Sequence, residues 1–299
     1  MELRQLRYFI KVAETLNFSE AARELFVSQS TLSQQVKLLE DELGTALFVR
    51  NSHNVSLTEA GSELLPCARQ AVRDCEICTE RINDLNNLSA GELRIGVTYS
   101  FSSILTETLV TFMKRYPEIH LDIVYKPMSE LMELLTHRDV DFVLAFRPLH
   151  PIENVESHIL FQNRLSVVTN KNHPLAAKEK ITLEELHDYS LALPSRGLQA
   201  RNAFDSVTSG RSPYRIAIEM NEVNILLKIV RNTNLVTVLA EDSIYGENDL
   251  KAVAIDIPNN EMTGCVHLLK DTYHKKSMKE FIGMLTESIA VKARQYSWI

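Results

Sequence analysis

Cysteine is scarce, four residues in 299, too few for a disulfide framework. Glycine and proline, nine of each, exclude collagen-like and low-complexity chains. No apolar run reaches the ~20 residues of a spanning helix. No apolar segment with a small-residue cleavage site follows Met1. The expectation is a cytoplasmic protein with no membrane partner. Basic charge is not in surplus either: 32 Lys and Arg against 39 Asp and Glu leave −7. That balance argues against nucleic acid, whose affinity rests largely on cations neutralising phosphates. Catalytic signatures are missing as well. There is no Gly-x-Gly-x-x-Gly, P-loop, Gly-x-Ser-x-Gly or His-Glu-x-x-His, and the nine His are scattered. Neither an enzyme nor a metal or other cofactor is expected.

What is present contradicts the charge argument. Leu3, Leu6, Ile10 and Ala13 recur at helical spacing, with Arg4, Arg7 and Lys11 on the polar side. A second, short helix begins after Asn17, read with Ser19 as its N-cap and Glu20 at the positive end of its dipole. Val27 and Ser28 make a tight turn. Ser28 then caps a third helix, residues 29–43, with apolar Leu32, Val36, Leu39 and Leu43, and Gly44 ends it as a C′ glycine. A short helix, a tight turn and a third helix polar in its first half form a helix-turn-helix pattern. Residues 47–50 and 54–57 flank a polar turn, Asn51-Ser52-His53, and read as a β-hairpin or wing.

Thr58 caps a long helix to about Leu85. Its apolar residues Leu64, Ala68, Ala71, Cys75, Cys78, Ile82 and Leu85 alternate steps of four and three. That heptad seam calls for a partner helix, hence at least a homodimer. Pro66 lies inside and is expected to bend the first turns. Cys75 and Cys78 read as small seam hydrophobes, with a redox switch or intersubunit disulfide as the alternative. Zinc would need further ligands, and no His neighbours them. Residues 86–91 are turn-rich and read as a linker.

From Glu92 onward strands and helices alternate. Strands are read at 93–97, 120–125 and 141–146, with helices at 102–115 and 129–137 between them. A second series holds strands at 165–168, 191–193, 215–219 and 235–239 and a helix at 222–231. A strand at 264–269 and one closing helix, 277–294, end the chain. Such alternation implies parallel sheets under helices. Two series imply two lobes and a cleft. Ligands of such sheets bind beyond the carboxyl ends of the strands. There, hydroxyls from Thr98 to Ser103, Ser102 among them, open a helix suited to an anion.

The chain resembles the LysR-type transcriptional regulators of bacteria over its whole length. The resemblance is carried by Phe18-Ser19-Glu20-Ala21-Ala22 through Leu25, by Val27-Ser28-Gln29-Ser30-Thr31-Leu32-Ser33-Gln34-Gln35-Val36, and by Leu57-Thr58-Glu59-Ala60-Gly61. Residues 141–146 and 226–231 lean toward its cyanate-responsive subgroup. The fold expected is α+β multidomain: an N-terminal winged helix-turn-helix (1–57), a dimerising linker helix (58–87), a hinge (88–92), and a C-terminal two-lobed α/β effector domain built like periplasmic solute-binding proteins. Lobe I would hold 93–163 and 267–299, and lobe II 164–266.

The resemblance implies a regulator that binds double-stranded promoter DNA as a dimer or tetramer and switches transcription on binding a small, anionic effector. RNA polymerase is a further partner. A solute-binding protein, or an architectural DNA-binding protein without an effector, is the alternative. The third helix would enter the major groove. Gln29, Ser30, Ser33, Gln34 and Lys37 would face the bases, Ser28 and Thr31 the phosphates, and Arg50 and His53 would lie on the wing. Gln34 stands where the family commonly has Arg, and Ser30 where it commonly has Pro. For the effector, the resemblance points to Ser100, Ser129 and Arg147, with Phe204 and Asn221 from the second lobe.

Overall fold

The structure, a computed structural model, describes residues 1–51, 54–85, 91–148, 150–208, 213–258 and 260–296. They fall into two compact units, residues 1–87 and 88–299. His53 and the expected linker at 86–90 lie outside the described residues.

The first unit runs α1 (Leu3–Thr15), α2 (Phe18–Glu24), α3 (Gln29–Leu43), β1 (Phe48–Arg50), β2 (Val55–Leu57) and α4 (Glu59–Leu85). The buried stripe of α1 is Leu6, Phe9 and Val12 with Gln5, rotated from the expected Leu3–Ile10–Ala13 line. Ser19 is not the N-cap of α2. Asn17 is, its Oδ1 accepting from the N–H groups of Ser19 and Glu20 at 2.9 and 3.1 Å, because the helix starts one residue before Ser19. Leu32, Val36 and Leu39 of α3 are wholly buried. They share one core with Phe9, Phe18 and Phe48, whose rings meet at 5.4 and 5.6 Å. Thr58 caps α4, accepting from the Gly61 N–H at 3.0 Å and donating to the Ala46 carbonyl at 2.7 Å. Gly61 has no room for a side chain: a Cβ there would meet the Leu47 oxygen at 2.2 Å. The helix is continuous through Pro66.

The seam of α4 divides in two. Ala68 is buried in the core of its own unit, and Leu64 and Ala71, half-buried, pack against it. Helix α1 takes up that face. Cys75, Cys78 and Ile82 are exposed. The Leu85 side chain lies outside the described residues.

The second unit begins with β3 (Gly91–Val97), which occupies part of the expected hinge. It continues through α5 (Ser102–Arg115), β4 (Ile119–Tyr125), α6 (Met128–Thr136), β5 (Phe142–Phe146) and β6 (Val155–Asn170). Then come β7 (Lys180–Ile181), β8 (Leu191–Pro194), α7 (Gln199–Thr208), β9 (Ile216–Met220), α8 (Val223–Arg231) and β10 (Thr237–Ala240). β11 (Leu250–Ile255), β12 (Glu261–Leu269), α9 (Lys276–Glu287) and α10 (Ile289–Tyr296) complete it. β3 pairs in parallel with β4 and β5, as expected. β12 then joins β5 and β6 antiparallel, and β10 and β11 flank β6 antiparallel. The sheets are therefore mixed rather than parallel, with β12 paired to β5 over Gly264–His267 and to β6 over Glu261–Leu269.

The cause is β6. Its sixteen residues contain neither Gly nor Pro, so one strand runs on from the first sheet region into the second. The closing helix is two helices. Ser288 leaves helical geometry (φ −62°, ψ 150°), and the Glu107 carboxylate accepts from the next two N–H groups, Ile289 and Ala290.

Candidate functional site

In the first unit the polar half of α3 stands clear of the core. Ser28 accepts from the Thr31 N–H at 3.1 Å, and its hydroxyl shares hydrogen bonds with those of Ser30 (2.9 Å) and Thr31 (2.8 Å). Gln29, Ser30, Thr31, Gln34 and Lys37 are exposed, and Ser33 is half-buried. The period of buried Leu32, Val36 and Leu39 turns Ser30, Gln34 and Lys37 outward, while Gln29, in line with Leu32 and Val36, is exposed as the first residue of the helix. The arrangement offers amide edges, hydroxyls and one ammonium along the first three turns of a helix.

Arg50 lies on the wing, at the end of β1. Its guanidinium donates to Glu40 at 2.9 Å and lies 4.4 Å over the Phe18 ring. The other oxygen of Glu40 accepts from the Leu47 and Phe48 N–H groups at 2.8 and 3.2 Å. Arg50 is held to the body, and Glu40 ties the wing to α3. In the sequence Glu40 is one of three consecutive acids, with no signal to separate it from Asp41 and Glu42.

In the second unit the carboxyl ends of β3 and β8 and the first residues of α6, α7 and α8 surround a small cavity of about 20 Å³, room for about one water. Tyr99, Ser100, Met128, Leu198, Gln199 and Val223 line it. No charged side chain does so among the described residues. A helix start leaves N–H groups without partners inside the helix; at α8 the Glu222 carboxylate takes the Asn224 N–H at 3.1 Å.

Of the six expected effector residues, Ser100 alone lines the cavity. The Ser102 hydroxyl is spent on the Tyr99 carbonyl at 2.8 Å. Ser129 is exposed, because α6 starts one residue earlier and presents Met128 instead. Arg147 is exposed beyond the end of β5, its N–H bonded to the Thr263 carbonyl at 2.7 Å. Phe204 is 2% exposed and packs on Tyr214, a turn deeper along α7 than the cavity. Asn221 is exposed, just outside α8. Gln199 was not foreseen; no local motif marks it. It pairs with β5, distant in sequence: Phe146 donates to its Oε1 at 3.0 Å, and its Nε2 donates to the Phe146 carbonyl at 2.9 Å.

Two buried polar groups brace the sheet of this unit. His267 on β12 is fully buried, and burial pushes its pKa down to about 4. Its Nε2 meets the Ala145 carbonyl at 3.3 Å, which can only accept. The proton therefore sits on Nε2, and Nδ1 accepts from Ser157 at 2.8 Å. Lys275 donates to Asp141 at 2.9 Å and to the Glu92 carbonyl at 2.8 Å, while Asp141 also accepts from the Arg94 N–H. This ties the start of β3 to β5 and to the entry of α9. Among the described residues no three His, Cys, Asp or Glu side chains are gathered as metal ligands.

Two family models match the chain. The bacterial regulatory helix-turn-helix protein of the lysR family matches residues 3–62, and the LysR substrate binding domain matches residues 86–290. The RuBisCO operon transcriptional regulator of Allochromatium vinosum is 33% identical over 236 residues, 78% of this chain and 77% of that one. An uncharacterised HTH-type transcriptional regulator of Escherichia coli K12, YnfL, is 37% identical over 188 residues. That match spans 62% of this chain and 63% of the relative, under two thirds of its length. The solved structure of full-length CbnR complexed with its target DNA superposes with a TM-score of 0.67 at 22% identity, covering 96% of this chain and 99% of that one, a likeness of fold.

Proposed function

The chain belongs to the lysR family of bacterial regulatory helix-turn-helix proteins, a transcriptional regulator rather than an enzyme, and from that premise we propose how its parts act. It works in the cytoplasm as a homodimer or homotetramer on double-stranded promoter DNA. A small ligand taken into the cleft of the second unit alters how it sits on that DNA. The observation that carries the DNA reading is the outward amide-and-hydroxyl face of α3. Gln29 and Gln34 can each bond adenine through its N6 and N7. Ser28 and Thr31, at the helix start, suit a phosphate. Arg50 steadies the wing.

Self-association is supported by the far half of α4, where Ile82 is 57% exposed beside Cys75 and Cys78; such a line is covered by a second helix. CbnR is solved with its target DNA, which favours the same use of this fold here. The cavity favours a small anion, its charge met by helix N-termini and the Ser100 hydroxyl rather than by a cationic side chain. RNA polymerase is the further partner of a regulator that activates.

The test is a thermal-shift screen of small carboxylates and inorganic anions on the full chain, followed by footprinting of the DNA upstream of its gene. A ligand bound by the native state alone raises the midpoint. A hit that Ser100→Ala abolishes, and that changes the footprint, supports the reading. Footprints identical with and without that ligand contradict it.

A further inference from the structure

Resting on the reading of the cleft as the ligand site, we propose that Gln199 is its specificity-determining residue: a tethered amide holding the place that the ligand's own donor–acceptor edge takes. The geometry begins with β5. On one side its end is paired by β12, where Gly264 lies opposite Phe146 and the Arg147 N–H reaches the Thr263 carbonyl. On the other side β3 serves it as far as the Thr98 N–H, which donates to the Leu144 carbonyl at 3.0 Å. There β3 stops, and the chain turns into the short helix Tyr99–Phe101. The next N–H and C=O on that side belong to Phe146, at the cleft.

Both are satisfied by one side chain from across the cleft. The Gln199 carboxamide accepts from the Phe146 N–H and donates to the Phe146 carbonyl, as a neighbouring strand residue would. Its Nε2 also contacts the Met128 sulfur. Gln199 is placed rigidly for this. It opens α7, whose Arg201 is 3% exposed; paired within the helix to Asp205, Arg201 clamps α7 to the Pro194 carbonyl and to Glu219. The turn before it uses Gly197 at φ +93°, a conformation suited to glycine.

This pairing has a chemical signature. An ionised carboxylate accepts but cannot donate, so it satisfies the Phe146 N–H and leaves the carbonyl facing a negative oxygen. A primary amide or an un-ionised carboxyl satisfies both. The ligand that displaces Gln199 therefore carries a planar group with adjacent donor and acceptor on the Phe146 side, whatever charge it places toward Ser100. Without ligand, Gln199 keeps the cleft shut, which accounts for a cavity of about 20 Å³.

The experiment is hydrogen exchange at the Phe146 amide of the full-length protein, resolved by overlapping peptides, with no effector added. Gln199→Ala is expected to speed exchange at Phe146 at least tenfold while Val143 and Leu144 keep their protection. Gln199→Met, which fills the same space without hydrogen bonds, should do the same and covers the case in which the alanine variant folds poorly. Acetamide, which replaces the lost Cγ and carboxamide, is then expected to restore protection in Gln199→Ala, and acetate at the same concentration is not. Unchanged exchange in both variants overturns the tethered amide. Rescue by both compounds, or by neither, overturns the ligand class. Because no effector enters, these results stand apart from the ligand screen: an empty screen would remove the cleft's sensing role and leave the Gln199 pairing measured.

Discussion

The polar face of α3 and the cleft of the second unit solve opposite problems. On α3, Gln29, Gln34 and Lys37 are exposed and reach outward; three buried residues turn Gln34 and Lys37 away from the core, and Gln29 stands free at the helix start. In the cleft the polar groups are turned on one another. Ser102 is spent on Tyr99, and Gln199 on Phe146. A surface that reads a large, regular partner needs side chains held out from a rigid frame. A pocket that senses a small molecule has to keep its groups satisfied while empty, because an unpaired buried polar group costs on the order of 1–3 kcal/mol. Reading and sensing are thus built from the same residue types in opposite states of engagement.

The contrast can be broken most forcefully from behind the cleft. Lys275 and Asp141 are each 7% exposed at the side chain. Removing one partner of a buried pair leaves the other uncompensated, at a cost of about 3–5 kcal/mol. Lys275→Met should therefore lower the unfolding free energy of the second unit by that amount in denaturant melts, with the melt of the first unit unchanged.

Acid gives the next largest effect. His267 is held neutral, with its pKa down at about 4 against an ordinary 6.5. The unfolded chain binds the proton first, so the stability His267 contributes is complete above pH 6.5 and is lost as pH falls toward 4. The loss is on the order of 3 kcal/mol. A urea series over that range should show it in the second unit, and His267→Gln should flatten it.

The smallest effect belongs to the first unit. Asn17→Ala removes the cap of α2 at a cost of about 1 kcal/mol, visible in that unit's melt alone. Ser19→Ala, the replacement that the sequence reading singles out, should be close to neutral.

These two residues show what is legible in a sequence and why. Helix α3 was read correctly because its signals are local: the Ser28 cap, the three- and four-residue spacing of Leu32, Val36 and Leu39, and Gly44 at φ +69°. The cap of α2 slipped by two residues because Asn17 and Ser19 are both good caps and only the folded helix start decides between them. The seam of α4 was visible as a period, but a period does not say which surface covers it; α1 takes its first half. The rule that ligands sit beyond strand ends points to the region where the structure has a small cavity, and Ser100 lines it. Phe204 and Gln199 lie five residues apart on one helix, one in the core and one at the cavity. That division depends on where β5 ends, fifty residues earlier in the chain, and no local pattern encodes it.

The central claim is that the first unit reads bases through the α3 amides rather than through charge. Residues 1–65 hold six basic and nine acidic side chains, so little nonspecific attraction is available. The direct measurement is the affinity of the full chain and of Gln29→Ala/Gln34→Ala for the DNA upstream of its gene and for unrelated DNA, across a series of salt concentrations. The account predicts a loss of roughly 10- to 100-fold per lost bidentate contact on the upstream DNA, with unrelated DNA bound as before and the salt slope unchanged. Equal losses on both DNAs, or none on the upstream site, would contradict it.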